Sequence, residues 1–313
     1  MKEGYSMKNI VRIIALALTL ALLCACALAE SAQPTVDRAG NEIALPEEIN
    51  KVVSLAPSTT QLLLDLGLGD KLVAVDTYSA QYYEETAGLL QYDMMTPDNE
   101  ALALLEPDVI FVTGMSFAHG ENPFQPLIDL GACVVVLPSS YSIEDIRLDI
   151  AFIADVMNVE EAGQAIIDEM DTTIEEIKAI GESIEEKKTV LFEISALPYI
   201  YGPGDHTYLD EMIELIGAVN VLDGQEDWVS VSEESALAMN PDVILTSTDY
   251  IEDPIGEILS REGWGDVTAV ANKAVYPISS QTSNQPNQHI VEALIDMAKA
   301  VYPEYYEALD EAA

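Results

Sequence analysis

The sequence predicts an α/β protein of two Rossmann-like lobes, each on a parallel central sheet, joined by one long α-helix. Three observations predict it. Glu100, residues 101–106 and Pro107-Asp108-Val109-Ile110 return 134 positions later as Glu234, residues 235–240 and Pro241-Asp242-Val243-Ile244. Strand and helix candidates follow the same order in both halves. A long stretch without proline and with helical periodicity lies between them.

In each copy of the repeat a Glu stands seven residues before a Pro, with mostly helix-forming apolar residues between. Proline lacks the N–H a continuing helix needs, so each copy reads as a short helix stopping at Pro and dropping into a buried strand. Residues 51–55 and 189–194 are apolar strand candidates near the start of each half. Each is followed by a loop and an amphipathic helix ending at glycine, at 62–67 and 209–217. Residues 134–137 and 274–278 close the two units as strands. Strands alternating with helices through short connections imply parallel pairing, because parallel neighbours need a crossover.

Residues 159–188 contain no proline, and only Gly163 and Gly181 interrupt them. Ala162, Ala165, Ile166, Met170, Ile174, Ile177 and Ile180 recur at three- and four-residue intervals, which predicts an amphipathic helix interrupted or ended near Gly181. A flexible linker would cluster Gly, Ser and Pro; a helical strut holds two lobes at a nearly fixed separation. The division is therefore a signal peptide at 1–25, a tether at 26–34, an N-terminal lobe at 35–158, the interlobe helix at 159–188 and a C-terminal lobe at 189–313.

Lys2, Lys8 and Arg12 precede an apolar core at 13–23, the pattern of a secretory signal rather than a membrane span of about 20 apolar residues. Met7 could equally be the start. Leu23-Cys24-Ala25-Cys26 has the shape of a lipoprotein processing site, so lipidation of Cys26 and a membrane tether are expected. Ordinary cleavage after Ala27-Leu28-Ala29 is the alternative. Cys133 is then the one remaining thiol, in an apolar run, and reads as a core residue. With 55 Asp and Glu against 13 Lys and Arg, the surface repels nucleic acid and anionic headgroups. Most of these charges read as solubilising, and a run such as 182–186 as a solvated helix face.

Thr35-Val36-Asp37-Arg38-Ala39-Gly40, Leu45-Pro46 and Lys51-Val52-Val53-Ser54-Leu55-Ala56-Pro57-Ser58 resemble the periplasmic-binding-protein family serving iron-siderophore, haem and vitamin B12 importers. Leu66-Gly67, Val73-Ala74-Val75, both Glu-to-Pro-Asp segments, Gly217-Ala218-Val219-Asn220-Val221, and Trp264 with Ala269-Val270-Ala271-Asn272-Lys273-Ala274-Val275-Tyr276 extend the similarity over about residues 35–303. The resemblance implies ligand held between the lobes. It also implies that Glu100 and Glu234 bind arginines on a permease dimer driven by ATPase subunits. Alone, either Glu reads equally as a helix-start residue favoured by the helix dipole. As a pair, one per lobe, they suit a two-fold partner.

Ligand contacts are expected from the loops after the strands. In the first lobe these give Ser58, Thr59, Tyr78, Tyr82, Tyr83, Met115, Phe117 and Tyr141; in the second, Tyr201, His206, Trp228, Tyr250 and Gln281. Such loops, rich in Tyr, Ser, Thr, Asn and Gln and without Arg or Lys, suit an uncharged or amide-bearing ligand. A corrinoid, cobalamin or cobinamide, therefore ranks above an anionic catecholate siderophore, with a ferric siderophore or haem as the alternative. Tyr78-Ser79-Ala80-Gln81-Tyr82 is similar to a loop of the B12 binders, although Tyr83 stands where a Pro is expected. His119, His206 and His289 show no catalytic or metal-ligand spacing, and no phosphate loop or nucleophile elbow is present. The expectation is a monomeric, non-enzymatic receptor with no cofactor or resident metal. A sensing or adhesion lipoprotein is the alternative of another class.

Overall fold

The computed structural model describes residues 33–309 of the 313. The expected signal peptide, Cys26 and most of the tether lie outside the described residues. The strands are β1 (Val52–Leu55), β2 (Leu72–Asp76), β3 (Leu90–Tyr92), β4 (Val109–Thr113), β5 (Val134–Leu137), β6 (Thr189–Glu193), β7 (Ile200–Pro203), β8 (Val219–Asn220), β9 (Trp228–Val231), β10 (Val243–Thr246) and β11 (Val275–Pro277). The first five form one parallel sheet ordered β3-β2-β1-β4-β5. A second parallel sheet runs β11-β10-β6-β8.

The sequence repeat is also a structural repeat. Glu100 and Glu234 are each the second residue of a short helix, Asn99–Leu104 and Glu233–Met239. The cap side chains Asp98 and Ser232 accept from the N–H three residues on, Ala101 and Ser235, relieving helix-end donors that would otherwise lack a partner. Just before each proline, Glu106 and Asn240 turn through the left-handed region at φ 50° and 47°. The Asp that follows pins the lobe's first strand. Asp108 Oδ2 accepts from the N–H groups of Asn50 and Lys51 at 2.7 and 2.8 Å, and Asp242 Oδ2 from the Thr189 N–H and hydroxyl at 2.9 and 2.8 Å. Pro-Asp is thus a corner followed by a staple.

Strand alternation then sorts the side chains. Val109 and Phe111, like Val243 and Leu245, face one large core; Ile110, Val112 and Ile244 face the outer cores of their own lobes. The large core is continuous from the first sheet, through the helices Ile143–Met157 and Glu160–Gly181, to the second sheet and the helix Ile290–Val301.

The interlobe helix ends at Gly181, and residues 182–188 continue as turns and irregular chain toward β6. Gly181 is a point of close approach: a Cβ there would lie 2.2 Å from the Leu215 carbonyl oxygen and 2.8 Å from the Gly217 nitrogen. Gly217 itself, at φ +83°, ends the helix Tyr208–Leu215. The helix therefore lands on the second lobe through two glycine backbones. One expectation needs correction. Tyr201, expected on a cleft loop, instead lies in β7, which pairs antiparallel with β9 and sets Ile200 opposite Val231.

Beside β6, Arg261 donates to both Glu193 oxygens at 2.8 and 2.9 Å and to Glu257 at 2.7 Å. Its guanidinium stands 4.6 Å from the Trp264 ring centroid, and Trp264 Nε1 donates to Glu233 at 3.0 Å. Glu193 is wholly buried. Arg261→Met should lower unfolding free energy by about 3–5 kcal/mol in urea titrations, because it strands that carboxylate, whereas exposed Lys273→Met should change it by under about 0.5 kcal/mol.

Candidate functional site

The chain ends of β1, β2, β4 and β5 and of β6, β10 and β11 face each other across a cleft of about 560 Å³. A cleft at the carboxyl ends of parallel strands is where open α/β sheets hold ligands. Its apolar floor is Leu62 and Leu137 with Ile146, Ile150 and Ile153 of the helix Ile143–Met157. That helix starts at a reciprocal cap. Asp145 N–H donates to Ser142 Oγ, and the Ser142 N–H to Asp145 Oδ2. Glu211, from the other lobe, accepts from its first N–H, on Ile143, at 2.9 Å.

One rim is set by a buried polar chain. Asp76 ends β2, and its carboxylate accepts from the N–H groups of Tyr78 and Ser79 at 2.8 and 3.0 Å and from the Ser79 hydroxyl. Ser79 Oγ lies 2.9 Å from Thr60 Oγ1, which donates to Ser54 Oγ at 2.8 Å. Burial pushes the Asp76 carboxyl up, against those hydrogen bonds. The result is a rigid platform carrying Tyr78 and Tyr82, stacked at 6.3 Å. Tyr78, Met115 and Tyr250 are each more than half exposed, a concentration of apolar surface around one cleft that marks a binding site.

The lining includes Ser58, Thr59, Tyr78, Tyr82, Met115, Trp228 and Tyr250 of the residues the loops suggested. Six others lie elsewhere. Tyr83 sits behind the wall, its hydroxyl donating to Gln285. Phe117 packs toward Phe124 at 6.4 Å, within the outer core of the first lobe. Tyr141 lines a separate cavity of about 810 Å³ beside Cys133. Tyr201 lies on β7 and is exposed, because that segment is strand rather than cleft loop. His206 holds a left-handed turn at φ 62° before the Thr207 cap. Gln281 lies exposed on the short helix Ser280–Ser283, while its neighbour Ser280 lines the cleft and donates to Asp249 at 2.5 Å.

Sequence reasoning missed Tyr208, Asp149, the Ile146-Ile150-Ile153 face and Asn287. Tyr208 is buried, edge-on to Trp228 at 6.0 Å, and donates to the Ser283 carbonyl at 2.8 Å. Asp149 is nine-tenths buried and accepts from Arg38 Nε at 2.7 Å and Ser140 Oγ at 2.9 Å; burial raises its pKa against those two partners. Arg38 is held there by Asp37, which accepts from the β5 N–H of Val136 at 2.9 Å. Among the described residues that line the cleft there is neither Lys nor Arg.

A model of the periplasmic binding protein family matches residues 52–282. The chain belongs to that family. This binding protein is 28% identical over 275 residues to the Bacillus subtilis ABC transporter substrate-binding lipoprotein YvrC, covering 87% of this chain and 86% of that one. It is 31% identical over 204 residues to the Yersinia pestis vitamin B12-binding protein, covering 63% and 69%. The solved structure of a possible iron-binding periplasmic solute-binding protein from Staphylococcus epidermidis superposes with a TM-score of 0.72 at 27% identity, covering 82% of this chain and all of that one.

Across one side of the cleft the lobes of the binding protein are tied by charge. His289 Nε2 lies 2.7 Å from Asp65 Oδ2, and its Nδ1 2.5 Å from Glu292, while Gln288 also donates to Asp65. The hydrogen bond to Asp65, opposed by burial and reinforced by Glu292, raises the His289 pKa to about 9. Burial would raise Asp65, but its bonds and charge contact with His289 and the amides of Gln288 and Gln61 bring it below the usual value. The histidine contribution is complete below the ordinary histidine pKa and is lost as pH rises through about 9. The Asp65 contribution is present above its ordinary value and lost on acidification. The Tm difference between the native protein and His289→Gln should therefore be constant from about pH 5 to 6, shrink as pH rises from the ordinary value of 6.5 to about 9, and be lost above that.

Proposed function

We propose that this protein captures a corrinoid, cobalamin or cobinamide, between its lobes and delivers it to the permease of an ABC importer. The observation that carries the reading is a cleft between two sheets walled by tyrosines, Trp228, hydroxyls and carboxamides, with an isoleucine floor and without cationic side chains. A corrin ring offers apolar methyls to the floor and amides to the polar wall. A highly anionic chelate would call for arginine or lysine there. The name of the vitamin B12-binding relative supports the corrinoid, and that of YvrC the part in an ABC transporter. The Staphylococcus epidermidis relative's name favours the second reading, an iron chelate in the same cleft.

The work is capture and hand-over rather than chemistry. Glu100 and Glu234, exposed at the same position of equivalent helices, dock one to each half of a permease dimer through charge-assisted bonds to arginine. The protein acts as a monomer outside the cytoplasm, anchored to the membrane by lipid on Cys26, and its acidity keeps it off nucleic acid.

Titration of the purified protein with cobalamin, cobinamide, haem, a ferric hydroxamate and a ferric catecholate tests the ligand. Saturable submicromolar binding of a corrinoid alone is expected, and saturation by the catecholate alone would contradict it. Glu100→Ala with Glu234→Ala should abolish uptake by cells while leaving corrinoid affinity within about twofold, since neither residue touches the cleft. Loss of affinity in the double variant would sink the docking assignment.

A further inference from the structure

Between β11 and the helix Ile290–Val301 the chain runs Asn284-Gln285-Pro286-Asn287-Gln288-His289, and Asn284, Gln285 and Asn287 line the cleft. Two of these carboxamides are 3–7% exposed and have their oxygens engaged by the protein. Gln285 Oε1 accepts from the Tyr83 hydroxyl, reaching from the other lobe, at 2.6 Å. Asn287 Oδ1 accepts from the His289 N–H at 2.9 Å, and Asn287 Nδ2 has no partner among the described residues. A primary amide whose oxygen already accepts a bond from the protein keeps both N–H donors but at most one acceptor lone pair, so it offers mainly donors. A buried donor without a partner carries an uncompensated desolvation cost, so a ligand oxygen supplied to it is well rewarded.

Charge narrows the class further. Asp249 is exposed in the same cleft, and Asp149 is already matched by Arg38. An anionic oxygen brought to this wall would meet an acidic field with no compensating cation among the lining residues.

We propose that the Gln285–Asn287 wall is a donor subsite that reads carbonyl-type oxygens of a ligand without net negative charge, carboxamides above all. Tyr83 is its positioning residue. It does not line the cleft; it fixes which end of the Gln285 amide faces the ligand. Burial first, then the nearby Asp76 charge, raises the Tyr83 pKa, so its phenol keeps the proton it donates. This rests on the reading that the interlobe cleft holds the ligand.

Calorimetric titration with cyanocobalamin, and with a corrinoid whose peripheral amides are hydrolysed to carboxylates, tests the subsite. Gln285→Leu should weaken cyanocobalamin by about tenfold, the loss of one hydrogen bond, and Gln285→Glu by more. Tyr83→Phe should weaken it by about threefold in the native background and leave it unchanged in Gln285→Leu, a coupling that a merely structural tyrosine would not show. Melting curves of the variants check folding. Equal effects of Tyr83→Phe in both backgrounds, or tighter binding of the carboxylate form, would overturn the proposal. If the native protein ignores corrinoids, the corrinoid reading fails by itself, and the same variants are titrated with ferrioxamine, a chelate without net negative charge. Coupled losses there uphold the subsite; preference for a ferric tris-catecholate, or binding of none of these probes, overturns it.

Discussion

The cleft depends on one continuous apolar core. Val109 and Phe111 in the first sheet, and Val243 and Leu245 in the second, belong to the same packed cluster, bridged by Ile146, Ile150, Ile167, Ile174 and Ile177. Each such side chain, fully buried, contributes about 1.5–3 kcal/mol relative to exposure. Moving one lobe against the other would disturb many of them at once, because close-packed interiors resist gradual deformation. The glycine contact between Gly181 and Gly217 removes further freedom at the second lobe. A binding site between two bodies fixed in this way is largely formed before ligand arrives, which lowers the ordering cost of association.

Much of the frame was legible in the sequence because its signals are local. Proline ends a helix wherever it stands, aspartate after it can reach neighbouring amides, and alternation decides which strand residues meet which core. These rules place Glu100 and Glu234 at matching sites without reference to the rest of the chain. The short β7–β9 ribbon was not legible: Ile200 and Val231 are far apart in sequence, and Tyr-Gly-Pro-Gly carries the composition of a loop.

The cleft was legible only in part, for the same reason. Loops that follow strands deliver Ser58, Tyr78 and Met115 directly, so position along the chain was sufficient. Tyr208 and the face of the helix Ile143–Met157 reach the cleft because of how the helices pack, and in the sequence both look like ordinary core. Tyr83 shows the converse. It lies one residue beyond a lining tyrosine, yet it faces the other lobe and engages the back of Gln285. Arg38 belongs with these: a residue of the N-terminal turn sets the charge of Asp149, on a helix over a hundred positions away.

The acidity of the chain as a whole and the charge its cleft presents are separate matters. Most carboxylates are solvated; near the site Asp149 is paired with Arg38 and Asp65 with His289, while Asp249 stays exposed in the cleft, accepting from the Ser280 hydroxyl. The central claim is that both lobes form one body around a preformed cleft. It is tested most directly by the distance between spin labels at exposed Leu104 and Glu262, one per lobe, with the three native cysteines replaced by serine. A single narrow distance distribution, unchanged when cobinamide, haem or ferrioxamine is added to saturation, is the predicted result. A broad distribution without ligand, or a shift of its centre on binding, would show two independently moving lobes and contradict the account.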